Sequence, residues 1–183
     1  MFEQIRTKLA FHRKPLFRLA TVRRLIRHED GSTAVEFGLL GVPFFGLMFA
    51  IIETALAFFA GQTLETATAD SSRLIMTGQA QMQNFDKAKF KEAVCARIHG
   101  LFKCDNIKFQ VATAASFATA SFSPPIDAQG NVKPDTFTPG GPSEIVVVQV
   151  MYEWPIYVAR LSNMGSGKRL LMATAAFRNE PYQ

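Results

Sequence analysis

From Thr33 to Ala60 the chain runs for 28 residues with only two charged side chains, Glu36 and Glu53. Between them, Phe37–Ile52 is 16 residues without a charge. A helix that crosses a bilayer needs roughly 20 mostly apolar residues, so this run is long enough to span one. It exceeds the roughly 7–15 residues of a secretory h-region, and no small-x-small cleavage site ends it. The chain is therefore expected to be built on one long N-terminal transmembrane helix.

Charge gives that helix a direction. Residues 1–30 hold eight bases (Arg6, Lys8, Arg13, Lys14, Arg18, Arg23, Arg24 and Arg27) against Glu3, Glu29 and Asp30. They account for the whole net charge of +5, because the remaining bases and acids cancel. The first base after the run is Arg73. This asymmetry predicts a cytoplasmic N-terminus and a C-terminal part beyond the membrane. No basic patch interleaved with aromatics follows residue 31, which argues against nucleic acid as a partner. Membrane lipid is the expected one.

A carboxylate inside such a run is costly in a bilayer and is by default a functional-site hypothesis. In Gly31-Ser32-Thr33-Ala34-Val35-Glu36-Phe37 a small residue is followed by four uncharged ones and then by Glu36. The pattern predicts a cut after Gly31, with Glu36 pairing with the positive charge that the cut creates. A carboxylate favoured by the dipole of a helix N-terminus is the lesser alternative for Glu36, and it does not exclude pairing. Glu53 lies about 25 Å further up a helix at ~1.5 Å per residue, near the far interface or facing a partner helix. Pro43 lacks a backbone donor and should kink the helix. Gly38, Gly41 and Gly46, with Ala34, present a thin surface suited to close helix contact. A plain signal anchor is the simpler alternative.

Gly31, Glu36 and aromatic Phe37 resemble the cleavage region of type IV-like prepilins. Gly-Ser-Thr-Ala-Val-Glu-Phe-Gly-Leu-Leu-Gly-Val-Pro, with Glu53 and then Ala67, Ala69 and Arg73, resembles TadE-like pseudopilins of the tight-adherence (Flp pilus) system over about residues 31–73. The tail Ala175-Ala176-Phe177-Arg178-Asn179-Glu180-Pro181-Tyr182 is similar to the ending of many such proteins. The resemblance implies that a membrane prepilin peptidase cuts between Gly31 and Ser32, leaving 152 of the 183 residues. It also implies that Glu36, Phe37 and Glu53 serve subunit pairing and assembly, Glu36 meeting the new amine of Ser32 on a neighbour. The implied partners are that peptidase, an inner-membrane assembly platform, a sibling minor pseudopilin and the major Flp pilin. The leader is long for a prepilin, and the mature chain is much larger than a major Flp pilin. That size fits an accessory subunit.

Beyond the span, the expected fold class is α+β. Leu64, Ala67, Leu74 and Ile75 continue a helical period. Gly78 with residues 79–84 marks a break. A second helix is expected from Phe85 to about Leu101, capped near Asn84-Phe85-Asp86, with Phe90, Val94 and Ile98 on one face and Lys87, Lys89 and Lys91 solvated. Ile107, Phe109 and Val111 alternate with Lys108 and Gln110 as a strand, and Phe117–Phe122 is a candidate to pair with it. Residues 123–143, with five prolines and three glycines, read as a loop. Residues 144–152 are the strongest strand, ended or bent at Glu153-Trp154-Pro155. Residues 170–177 would close a small antiparallel sheet. The expected division is 1–31 leader, 32–60 transmembrane helix and 61–183 periplasmic domain.

Cys95 and Cys104 are the two cysteines. An oxidising compartment favours their disulfide. Cys95, His99 and Cys104 are an alternative metal set, but structural zinc usually takes four ligands, so no metal is expected. No cofactor is implied either. No nucleophile elbow, phosphate-binding loop or His-Glu-x-x-His occurs, and Gly165-Ser166-Gly167-Lys168 reads as a turn, so no enzyme activity is expected. Tyr152, Trp154 and Tyr157 form either a contact surface or part of the sheet core. Besides the minor pseudopilin, two alternatives remain. One is an unprocessed, membrane-anchored periplasmic binding or sensor domain. The other is a membrane-tethered hydrolase, which a ligand-sized pocket with convergent polar groups would favour.

Overall fold

The structure is a computed structural model that describes residues 31–98, 100–157 and 167–182. The basic leader, His99 of the alternative metal set, and Gly165 and Ser166 of the expected turn lie outside the described residues. The chain divides into two compact units, Met1–Met48 and Phe49–Gln183.

The described part of the first unit is the start of helix α1 (Ser32–Met76). Its side chains are largely exposed: Val35, Phe37, Leu39, Leu40, Val42 and Phe44 each keep more than 60% of their surface. Phe44 meets Phe45 edge-on at 5.4 Å. Pro43 sits inside the helix, where it cannot donate to the carbonyl one turn below.

In the second unit α1 continues unbroken to Met76, and its buried positions are Ala57, Ala60, Leu64, Ala67, Thr68, Ser71, Ser72 and Ile75. The steps of three and four residues make one stripe, and most of its members are small. Gly78 follows with φ of 77°, a left-handed position that glycine adopts freely and that commonly ends a helix. A single turn, α2 (Gln79–Met82), leads to α3 (Lys87–Cys95). The Asp86 side chain accepts from Lys89 N at 2.8 Å as an N-cap. Phe90, Val94 and Ile98 are buried; Lys87 and Lys89 are exposed and Lys91 half-exposed. The helix stops at Cys95 rather than near Leu101. Arg97 N and Ile98 N donate to Val94 O and Cys95 O, bonds of the tighter 3₁₀ type that close a helix end. Gly100 then turns the chain at φ of 80°, returning Cys104 to Cys95.

Strands β1 (Lys108–Ala114), β2 (Thr136–Phe137), β3 (Ile145–Pro155) and β4 (Lys168–Arg178) form one sheet in the order β2-β1-β3-β4. β3 pairs antiparallel with β1 and with β4. The sheet is mixed rather than wholly antiparallel, because β2 joins the β1 edge in parallel. β3 does not end before Glu153 but continues to Pro155, opposite Lys168. On one sheet face Val146, Val148, Val150 and Tyr152 join Leu64, Ile75, Phe90, Val94, Phe109, Leu171 and Ala173 in the core. Phe90 contacts Phe109 and Phe137 at 5.2 Å each. On the other face Gln149 Nε2 donates to Ser123 O and Gln110 Nε2 to Pro134 O, so the proline-rich segment crosses there.

Two further sequence expectations are corrected. Residues 117–122 do not pair with β1. Ser116 and Thr119 bond each other through side chain and backbone, a local arrangement that competes with a strand ladder. Residues 123–143 are not all loop. Ile126 bridges Val132 around a turn, and Thr136–Phe137 is the edge strand β2. Its prolines, Pro134 and Pro139, flank the pairing residues and leave their donors free to act.

Candidate processing and assembly segment

Gly31 is exposed, and a Cβ added to it would meet nothing within 4 Å. α1 begins at the next residue. Glycine thus stands immediately before a helix start, with no side chain to obstruct approach to the backbone. Ser32 Oγ donates to Glu36 Oε1 at 3.3 Å, one turn on, as spacing by four requires. The residue whose amine the cut would free thus lies within reach of Glu36 in the same chain. Phe37 beside it is 69% exposed. Added Cβ atoms at Gly38 and Gly46 would meet nothing, and one at Gly41 only the rims of Phe37 and Phe45 at 3.8–3.9 Å. This face of the helix is open to close approach.

Glu53 is placed differently. One of its carboxylate oxygens accepts from the backbone N–H of Tyr157, just past the end of β3. The carboxylate is held by the chain's own domain, a contact that hydropathy could not signal.

Cys95 and Cys104 are joined in a disulfide with Cα atoms 5.7 Å apart, which ties α3 to the approach to β1 and engages both sulfurs. Among the described residues no group of three His, Cys, Asp or Glu could hold a metal. Tyr152 is buried against Phe102, ring centres 4.9 Å apart, and Trp154 is half-buried 5.9 Å from the same ring. Tyr157 is 63% exposed. Two of the three aromatics thus serve packing. With Lys103, Lys108 and Asp105 they border a groove of about 780 Å³.

Sequence reading gave the tail only a resemblance and missed its role. Asn179 is 2% exposed. Its N–H donates to Glu144 O and its Nδ2 to Pro139 O and Gly141 O. Glu180 N donates to Met76 O at the end of α1, and Tyr182 Oη donates to Gly140 O. The Tyr182 ring lies on Gly78 so closely that an added Cβ would stand 2.4 Å from its Cγ. Gln81 Nε2 also donates to Pro139 O and Gly140 O. Burial raises the Tyr182 phenol above its ordinary value of 10.0, and the nearby Glu144 carboxylate adds to the rise against an opposing hydrogen bond with Asn179.

The described residues define a class: one apolar helix running into a small α+β unit closed by a disulfide and a C-terminal latch. Among them α1 is the one helix long and apolar enough to cross a membrane; its most apolar window has a mean hydropathy of 2.1 and none of it is buried. Residues 31–73 match the family model described as TadE-like protein. The chain therefore carries a TadE-like N-terminal segment, as its motif indicates, over less than a quarter of its length. No curated protein and no solved structure matches the chain.

Proposed function

We propose that this protein is a minor pseudopilin, a structural subunit of a tight-adherence (Flp-type) pilus or secretion machine, cut after Gly31 by a prepilin peptidase. The observation that carries the reading is the TadE-like match over residues 31–73, which starts on Gly31 and includes Glu36 on an exposed apolar helix. The leader stays in the cytoplasm and the sheet unit lies on the other side of the membrane, as the charge asymmetry indicates. Cleavage removes the leader's +5 and leaves an amine on Ser32. Glu36 neutralises that amine within the chain or on a neighbour, which relieves the cost of burying either charge in an apolar bundle. Partners are the peptidase, the assembly platform, a sibling minor pseudopilin and the major pilin. The role is assembly rather than catalysis.

Mass spectrometry of the protein from native cells tests the cut: the mature chain begins at Ser32, and a chain still carrying Met1 or one trimmed near Ala60 rejects the reading. Glu36→Ala should be cleaved normally yet assemble poorly; normal piliation in that variant would remove the pairing role. The aromatic-bordered groove favours one other reading, an unprocessed anchored binding domain, which retention of the leader would support.

A further inference from the structure

The outward face of α1 changes character abruptly. Leu56, Phe58 and Phe59 keep 46%, 64% and 60% of their surface exposed. From Gln62 onward the exposed residues of the helix are Gln62, Glu65, Thr66, Ala69, Asp70 and Arg73. On the opposite face burial against the sheet unit starts at Ala57. For a few residues α1 therefore has one side committed to the domain and the other apolar and bare. Tyr157, 63% exposed, sits at that level because its N–H is bonded to Glu53. Arg169, exposed at the start of β4, shares a shallow groove with Phe58, Gln62 and Glu65.

We propose that Leu56, Phe58, Phe59 and Tyr157 are a seat immersed in the lipid headgroup layer, so that the bilayer surface meets α1 between Phe59 and Gln62. The inference rests on the membrane-spanning reading of α1 but not on the pilus role. Length supports it: from Ser32 to Phe59 the helix rises about 40 Å at ~1.5 Å per residue, matching the roughly 40–45 Å of a bilayer with its headgroups. The two carboxylates then fall near the two edges of the hydrocarbon, where a charge costs least. Glu53 finds an N–H donor at its edge from the turn that carries Tyr157. Tyrosine at headgroup depth, with a cation beside Phe58 able to reach lipid phosphate, is the usual composition of such a boundary. The seat fixes how far the sheet unit sits from the membrane.

Single-tryptophan depth measurement tests this on the full chain. In a Trp154→Phe background, tryptophan is placed at Phe45, Phe58, Gln62 or Tyr157 in phosphatidylcholine vesicles carrying lipids brominated near the headgroup or deep in the acyl chain. Phe45→Trp should lose fluorescence to deep bromines, Phe58→Trp and Tyr157→Trp to shallow ones, and Gln62→Trp to neither. Quenching at position 45 with none at 58 and 157 overturns the seat while leaving the span. No quenching at 45 overturns the span itself. Quenching at 58 and 157 that fades as protein-to-lipid ratio rises would put a neighbouring copy on this face and also overturn the proposal.

Discussion

Replacing Gly78 by alanine should be among the most damaging small changes in this protein. The residue has φ of 77°, and a left-handed conformation costs an L-residue about 1–2 kcal/mol. The added Cβ would also stand 2.4, 2.5 and 2.9 Å from three atoms of the Tyr182 ring. Real carbon contacts need roughly an ångström more, so the ring must lift, and overpacking of this kind costs about 1–3 kcal/mol. The combined loss is about 2–5 kcal/mol. Urea unfolding of the full chain in detergent micelles, followed by Trp154 fluorescence, measures it. The decisive reading is a double-mutant cycle with Tyr182→Ala. Without the ring only the backbone strain remains, so Gly78→Ala should then cost about 1–2 kcal/mol. Additivity of the two changes within about 0.5 kcal/mol would refute the packing of Tyr182 on Gly78.

Three further outcomes follow from the same geometry. Phe90→Ala, which empties the ring packed between Phe109 and Phe137, should cost about 3–5 kcal/mol, read as a fall in urea midpoint. Joint replacement of Cys95 and Cys104 by serine removes a cross-link across nine positions and should cost about 2–3 kcal/mol; an unchanged midpoint in the variant would mean that the closed loop contributes nothing. Because the Tyr182 phenol is raised in the folded chain, its contribution is fully present below the unfolded value of 10.0 and is lost as pH rises through the folded one. The stability of the natural chain relative to Tyr182→Phe should therefore shrink as pH rises past the unfolded value of 10.0, and a constant difference would show that the phenol is not held neutral.

What the sequence made legible was local. The apolar run, the Asp86 cap and the apolar β3 strand each follow from residues within a few positions of one another. Three other features depend on contacts the local pattern does not carry. β2 is two residues long among prolines and exists because β1 offers it an edge. Residues 117–122 have strand-like composition, yet the Ser116–Thr119 bonds satisfy the backbone locally first. The latch joins Asn179 to Pro139 and Gly141, Glu180 to Met76, and Tyr182 to Gly140 and Gly78, and only the glycine after a helical run hinted at one half of it. In the candidate segment Gly31, Ser32, Glu36 and Phe37 lie within one or two turns and could be read together. The Glu53–Tyr157 contact crosses from helix to sheet and had no signature.

The bond from Glu180 to Met76 sets a schedule. Residues made early wait, their greasy stripe wetted, for a strand that the ribosome delivers much later. A half-finished chain lacks Val146, Val148, Val150 and Tyr152 of β3 and Leu171 and Ala173 of β4, which complete the core around Leu64 and Ile75, so until they emerge it depends on whatever escort will shield it. Stalling or clipping ahead of Asn179 should yield not a shortened working molecule but a sticky, protease-sensitive one.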